Sequence, residues 1–515
     1  LHVSNFIGYR ARTPRFATII PHSLPTHAGK VSFPCSRFPA IQPVLNCPPS
    51  LWLGYRLGYL GANTLNNGSF LIMLKRFIEK FLPSSQPTQS PQIIARDQHS
   101  VSRRDISSAA LRIMHSLNDA GYQAFLVGGG VRDLLLGGHP KDFDIATDAT
   151  PEQIKRLFRG ARIIGRRFQI VHVRMGREII EVTTFRGHHD QAQSENGMLL
   201  RDNVYGSLET DAMRRDFTVN ALYYTLKDFA IHDYIGGLED LEARRLQVIG
   251  DPETRYKEDP VRMLRAIRFA AKLGFGIAPR SAEPIAELGE LLRNVPPARL
   301  FEEVLKLFMA GSATASFTLL RDYGLLEHLF PATEAALSAG DTQGLTLIEE
   351  TMANTDKRVR ADKPVTPAFI YAALLWPPMQ ARAAQLSESM PPFPAHQQAA
   401  AEVVSQQLNH TALPKRFMIP MREMWDMQHR LEQRRQPLRL LDKPRFRAAY
   451  DFLLLRESAG AQLDGAGSWW TAFQAADDAE REKMQEDIRR QAPKGTGKRR
   501  RKRKPRHKPS TTAQE

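Results

Sequence analysis

Cysteine is nearly missing from these 515 residues: Cys35 and Cys47 are the two, and both precede the first segment with a fold signal. A disulfide framework and a cysteine-ligated zinc site are therefore not supported, and a reducing, cytoplasmic compartment is expected. No apolar run approaches the roughly eighteen residues that a membrane span needs. Acidic residues number 55 against 71 basic ones, a net charge of +16 at pH 7. Such an excess calls for a polyanionic partner, either nucleic acid or an anionic membrane surface. Residues 1–72 contain no Asp or Glu at all and show no sustained periodicity. Acid-poor, Arg-containing leaders can be transit peptides, but the simpler expectation is sequence upstream of a mis-assigned start, since Met73 is the first methionine.

What the chain does hold is concentrated between Phe125 and Asp144. An apolar run, Phe125 to Val127, stops at Gly128, Gly129 and Gly130, and an apolar-periodic segment follows at once. The pattern predicts a strand, a tight turn and a helix start. Glycines let the backbone approach a ligand closely, and free N–H groups there suit a phosphate. Asp142 and Asp144 flank Phe143. On a strand of period two both carboxylates share a face, while Phe143 points into the core. Two carboxylates on one face beside a phosphate cradle are what Mg2+-dependent phosphoryl or nucleotidyl transfer requires. Three glycines alone are a common loop, and Asp-x-Asp alone is a common solvated strand end. Their order and spacing point to chemistry.

The expected organisation is a doubtful leader (1–72), a linker (73–104), a head (105–250), a helical neck and body (251–377), a helical C-terminal domain (378–490) and a basic tail (491–515). Within the linker, Leu74, Phe77, Ile78 and Phe81 share one helical face, which suits a short docking helix or a membrane surface. Asp105 is placed to cap a helix running to Ala120, with Leu111, Met114, His115 and Leu117 inward. Thr150, Pro151 and Gln153 predict a capped helix start. Strands are expected over 168–175 and 178–185, the second presenting Glu181 as either a third metal carboxylate or a solvent-facing glutamate. His188 and His189 sit in a polar stretch, 187–207, and adjacent loop side chains converge poorly on a metal. If 211–224 is helical, Asp216 and Asn220 lie one above the other, and the Arg215–Asp216 pair could also simply tie two domains together. His232–Asp233 is read as structural. Pro260 is expected to start a helix with Val261, Leu264, Ile267 and Ala271 on its apolar face. Glu258, Asp259 and Arg262 are neighbours at its head, free to read a base edge or to pair with one another. Helices are expected over 282–293, 297–310, 313–324, 340–353 and 366–376, then a connector over 378–396, then helices to about 490 with exposed Arg430, Arg434 and Arg435. The run from Lys498 to Lys508 is too charged to fold.

Three of these segments, the Gly-turn with its Asp-x-Asp, Arg-Arg-Asp at 214–216 and Glu-Asp-x-x-Arg at 258–262, resemble the motifs of the class II nucleotidyltransferases. That superfamily contains the bacterial poly(A) polymerases and the tRNA CCA-adding enzymes. The segment from Ile163 to Val173, two apolar residues, Gly, two basic residues, Phe and an alternating strand, resembles the polymerases, as does the basic tail. The resemblance implies an α+β fold: a small mixed β-sheet nucleotidyltransferase head followed by all-helical neck, body and C-terminal domains. It implies template-independent transfer of AMP from ATP to RNA 3′ ends, with Mg2+ held by Asp142 and Asp144. Asp216 would have an active-site role, rivalled as third carboxylate by Glu181. Gly128, Gly129 and Arg132 would hold phosphates, Arg215 and Asn220 would contact the nucleotide, and Asp259 and Arg262 would read the adenine edge. The implied partners are RNA, ATP and RNA-decay proteins, not DNA. The alternatives are a CCA-adding enzyme, an RNA-binding protein on a dead transferase scaffold, and an aminoglycoside-type nucleotidyltransferase.

Overall fold

The computed structural model describes residues 90–165, 169–187, 194–195, 198–199 and 204–491. The leader, the 73–82 segment, Arg166–Phe168, His188, His189 and the tail after Gln491 lie outside the described residues. Among those described, no helix is long and apolar enough to cross a membrane.

The first half is a mixed eight-stranded sheet. Its strands are β1 (Gln92–Ile94), β2 (Ala124–Val127), β3 (Asp144–Thr147), β4 (Ala161–Ile164), β5 (Ile170–Met175), β6 (Glu178–Thr184), β7 (Leu222–Thr225) and β8 (Ile231–Asp233). Their spatial order is β1-β8-β7-β2-β3-β6-β5-β4. β2 and β7, in the middle of the sheet, are buried along their whole length, which is why β2 reads as a continuous apolar run instead of an alternation. β3 pairs parallel with β6, and this register sets Asp144 opposite Glu181. β5 pairs antiparallel with β6 and sets His172 opposite the same Glu181. β1 lies within what the sequence suggested was linker. At three residues, with Ile93 half-exposed, it is too short to show a period.

Helix α1 (Ser108–Asp119) packs under the sheet through Ile113, Met114 and Leu117. Ser107, not Asp105, caps it, accepting the Ala110 N–H at 3.1 Å. His115 faces solvent, one residue beyond the buried stripe, and is not the packed histidine expected. Helix α2 (Gly129–Leu135) follows the glycine turn, and α3 (Pro151–Leu157) starts on the anticipated capping box between Thr150 and Gln153. Residues 211–224 are not one helix. α4 (Leu208–Met213) ends before Arg214, a 3-10 turn spans Thr218–Asn220, and β7 begins at Leu222. The β-branched and aromatic residues from Phe217 onward are buried in the sheet, and that burial overrides helical spacing.

α5 (Gly237–Glu242) and α6 (Pro252–Glu258) lead to α7 (Val261–Leu273), which buries Val261, Leu264, Ile267 and also Met263, Phe269 and Ala270. From there the described chain is almost wholly helical. The expected connector over 378–396 is instead most of the helix Trp376–Ser387 and the start of the helix Pro392–Gln407. Pro377, Pro378 and Pro392 occupy first turns, where a missing N–H costs nothing, so they start helices rather than break them.

Candidate active site

Gly128 turns the chain from β2 into α2 with φ +75°, a conformation that side chains rarely adopt. A Cβ built there would lie 3.6 Å from Arg215 Nη1 and 3.9 Å from Asp144 Oδ2. The turn, the guanidinium and the carboxylate therefore meet at one point. Asp142 and Asp144 are both exposed and Phe143 between them is buried, the alternation that a period of two gives, with the strand itself beginning at Asp144. The register places Glu181 beside Asp144. His172 Nε2 lies 3.4 Å from Glu181 Oε1. Crowding by protein, then the Glu181 carboxylate, with a smaller push from Asp142, raise the Asp144 carboxyl to about 6 against the pull of Arg215. Two carboxylates held close at this cost are a place where a cation is favoured.

Arg215 is braced from behind. Its Nε donates to Tyr223 Oη (2.8 Å) and Asp211 Oδ2 (3.2 Å), its Nη2 donates to Asp211 Oδ2 (3.0 Å), and Tyr223 Oη donates to the same oxygen at 2.7 Å. Burial disfavours its charge, but Tyr223 and Asp211 outweigh that and hold its pKa above the ordinary arginine value. Its Nη1 is left facing the glycine turn.

Beside this point opens a basin of about 330 Å³, walled by Arg215, Asp216, Asp259, Arg262, Arg265 and, from the helix Pro297–Phe308, Arg299 and Glu303. Asp216 is fully engaged. Its Oδ1 accepts from Phe217 N (2.9 Å) and Asn220 Nδ2 (3.2 Å), and its Oδ2 accepts from Arg265 Nε (2.9 Å) and Arg265 Nη2. Burial acts to raise its pKa, but Arg265, Asn220 and the Phe217 N–H overcome this and lower it. Asp259 Oδ2 accepts from Arg299 Nη2 at 2.8 Å. Arg262 Nη1 donates to Glu258 Oε2 (2.9 Å) and to the Arg255 carbonyl (2.6 Å). Arg262 thus pairs locally with Glu258, Asp259 pairs with Arg299 across the basin's wall, and Asp259 and Arg262 both line the basin.

Two expected nucleotide contacts, Arg132 and Asn220, are bonded to protein groups here. Arg132 is 2% exposed and spends its donors on Asp133 Oδ1 (2.6 and 2.8 Å) and Asn220 Oδ1 (2.5 Å). Asn220, also buried, spends its amide on Arg132 and Asp216. These pairs fix α2 to the Asp216 turn, as buried polar groups must pair, and they use three of the five Arg132 N–H groups. Each Asp216 oxygen already accepts two donors. Exposed Arg435 stands as expected, whereas Arg430 is half-buried and Arg434 bonds the Asp464 carbonyl over the Trp469 ring. Asp233 accepts from Ile235 N (3.0 Å) and Leu238 N (2.8 Å), a turn-forming role.

Sequence reasoning missed Arg255, Arg265, Arg299 and Glu303. Arg265 had a signal, three residues beyond Arg262 on one helix. Arg255 Nη2 donates to the Arg214 and Arg215 carbonyls at 2.8 and 2.7 Å, about forty residues away, and nothing local announces that.

Among the described residues, no group of three or more His, Cys, Asp or Glu side chains is arranged to hold a metal ion. Mg2+, however, characteristically takes only one or two carboxylates and completes its shell with water and substrate phosphates. The open Asp142–Asp144 face meets that requirement.

Comparison with known proteins adds the following. Residues 124–247 match the model of the poly A polymerase head domain. Residues 274–337 match the probable RNA and SrmB-binding site of polymerase A, and 388–508 match its arginine-rich C-terminus. The chain is 46% identical to poly(A) polymerase I of Escherichia coli O6:H1 over 82% of its own length and 95% of the relative's. It is 44% identical to that of Haemophilus influenzae over 78% and 92%. A CCA-adding enzyme of Lactobacillus helveticus is 37% identical over 43% of this chain and 55% of its own. A solved tRNA-processing enzyme in an apo form shares the fold with TM-score 0.52 at 21% identity, over 76% of this chain and 98% of that one.

Proposed function

The chain belongs to the poly(A) polymerase I family, and from that premise we propose that it is a polynucleotide adenylyltransferase extending RNA 3′ ends. AMP passes from ATP to the terminal 3′-hydroxyl without a template. The new phosphodiester forms at the α-phosphorus as the bond to the β-phosphate oxygen breaks and pyrophosphate leaves. A CCA-adding activity is not favoured, because those relatives align with under half of the chain. A dead scaffold that only binds RNA would have no use for two open carboxylates facing a phosphate cradle.

The observation that carries the reading is the meeting of Asp142, Asp144, Glu181, Arg215 and the Gly128 turn at one point. Asp142 and Asp144 would hold Mg2+, with Glu181 as the third carboxylate at hand. Bound there, Mg2+ supplies a lowered pKa for the RNA hydroxyl and neutralises charge on the triphosphate. The Gly128–Gly129 backbone leaves room for the triphosphate, and Arg215 Nη1 supplies a braced positive charge to it. Asp216, tied to Arg265, shapes the basin rather than ligating metal. Arg262 and Asp259 are set to donate to and accept from the adenine edge. The helical segment 274–337, matched to a probable RNA and SrmB-binding site, supports an RNA track and an RNA-decay protein partner beyond the head. A cytoplasmic location accords with the scarcity of cysteine.

The test is incubation of the purified protein with an unstructured RNA and each nucleoside triphosphate separately, with Mg2+. Long tails from ATP alone are expected. A product that stops after C-C-A on a tRNA lacking that end would install the CCA-adding reading instead.

A further inference from the structure

Far along the chain from the head motifs, four helices leave a cavity of about 250 Å³ that no step above uses. Its walls come from Trp376–Ser387, Pro392–Gln407, Lys415–Glu432 and Phe446–Ser458. The small side chains of Ala383 and Ala384 leave the space open. Phe393 stands at it 38% exposed, its ring 6.1 Å from that of His429 and tilted by 32°. An aromatic ring left half in water beside a cavity is a platform on which a further ring can stack. Gln380 lines the same cavity and is exposed, and among the described residues its amide makes one weak contact, 3.9 Å to Met379 Sδ.

The floor is polar and not fully satisfied. Arg456 is 8% exposed and lies with its guanidinium 4.4 Å above the Trp376 ring. Its Nη1 donates to Gln428 Oε1 (2.9 Å) and Glu432 Oε1 (2.6 Å), while its buried Nε has no partner among the described residues. His396 Nε2 is likewise buried without a hydrogen bond, with Asp426 Oδ1 3.7 Å away. Arg430 and exposed Arg435, on and just past the helix that carries His429 and Glu432, have no ion-pair partner among the described residues.

We infer that this cavity binds one unpaired nucleobase of the RNA, stacked on Phe393 and read along its edge by Gln380, with Arg430 and Arg435 on the flanking phosphates. The inference rests on RNA being the substrate. An exposed aromatic platform beside cations that track a backbone is how proteins hold single strands. A side-chain amide offers paired donor and acceptor, which suits adenine N6 and N7. An acidic peptide would satisfy the arginines, but it would leave the ring and the free amide without a use. The site lies within the segment matched to the arginine-rich C-terminus. It would retain the growing tail between additions.

The experiment measures equilibrium binding of a labelled twenty-nucleotide oligo(A) to the full chain without ATP, for wild type, Phe393→Ala and Gln380→Ala. Loss of a stacked base weakens binding by roughly 5- to 100-fold in Phe393→Ala. Gln380→Ala narrows the preference for oligo(A) over oligo(U). A scan of single abasic nucleotides shows a position-dependent loss in wild type that disappears in Phe393→Ala. The KM for ATP at saturating RNA stays unchanged in both variants. Unaltered oligo(A) affinity in both, in protein that still adenylates RNA, overturns the base site. Weakening that an abasic scan shows to be independent of any base overturns it too. Failure of the wild type to extend RNA is a different result: it removes the adenylyltransferase reading and leaves the binding comparison to judge the cavity separately.

Discussion

Replacing Glu181 by Gln and Asp216 by Asn separates the two candidates for third carboxylate. Glu181 lies opposite Asp144 in the parallel β3–β6 register, and its side chain is 49% exposed. Its loss removes no buried pairing, so the melting midpoint of Glu181→Gln should stay near that of the wild type. The Asp144 carboxyl should fall below about 6 yet stay raised, since burial, the larger cause, remains when the Glu181 charge is gone. With one fewer carboxylate for the metal, turnover should drop about 10²-fold, roughly 2.7 kcal/mol of barrier, and the Mg2+ concentration for half-maximal rate should rise. Asp216→Asn acts differently. It strips Arg265 of its carboxylate partner. Breaking a buried pair costs about 3–5 kcal/mol; here Arg265 is 34% exposed and water screens the loss, so about 1–2 kcal/mol of stability is expected. The KM for ATP should rise through a disordered basin, with the Mg2+ requirement unmoved. Steady-state kinetics over a Mg2+ titration, beside denaturant melts, decide the matter. Normal Mg2+ dependence in Glu181→Gln together with a raised requirement in Asp216→Asn would refute the assignment.

Other consequences follow from the same geometry. Arg132→Met should lower stability by about 1–3 kcal/mol, because it leaves buried Asn220 Oδ1 without its donor while Asp133, partly exposed, keeps Lys272; an intact denaturant midpoint with only a raised KM for ATP would assign Arg132 to the phosphates alone. Arg262→Ala should weaken ATP use by about 1–3 kcal/mol in kcat/KM and erode the preference over CTP; a loss equal for both nucleotides would count against base reading. The Asp216 carboxyl is lowered in the folded protein, so its contribution is fully present above its unfolded value of about 3.9 and is lost as pH falls through the folded one. Wild type should therefore lose more stability on acidification than Asp216→Asn, and parallel pH profiles of the two midpoints would deny that linkage.

The chemistry-bearing motifs were legible because each is local. The Gly128 turn and the alternation across Asp142, Phe143 and Asp144 are set within a few residues, and Thr150 with Gln153 makes its cap within three. Glu181 could be named from its strand but not placed, since its position beside Asp144 is a fact of strand pairing. Arg132 and Asn220 sit inside motifs the sequence displays, but their pairing across 88 residues is a fact of the fold. Arg255, Arg299 and Glu303 reach the site across forty or so residues of sequence, beyond any periodicity. In the helical half, first-turn prolines imitate breakers, and so two helices were hidden in an expected connector.

The most direct test of the central claim is the turnover of Asp144→Ala on RNA with ATP and Mg2+, with circular dichroism and the melting midpoint measured on the same preparation. Asp144 is exposed and its side chain makes no hydrogen bond among the described residues, so the fold should persist. The account predicts a fall of at least about 10³-fold, some 4 kcal/mol of barrier. Near-normal adenylation by a folded Asp144→Ala protein would contradict it.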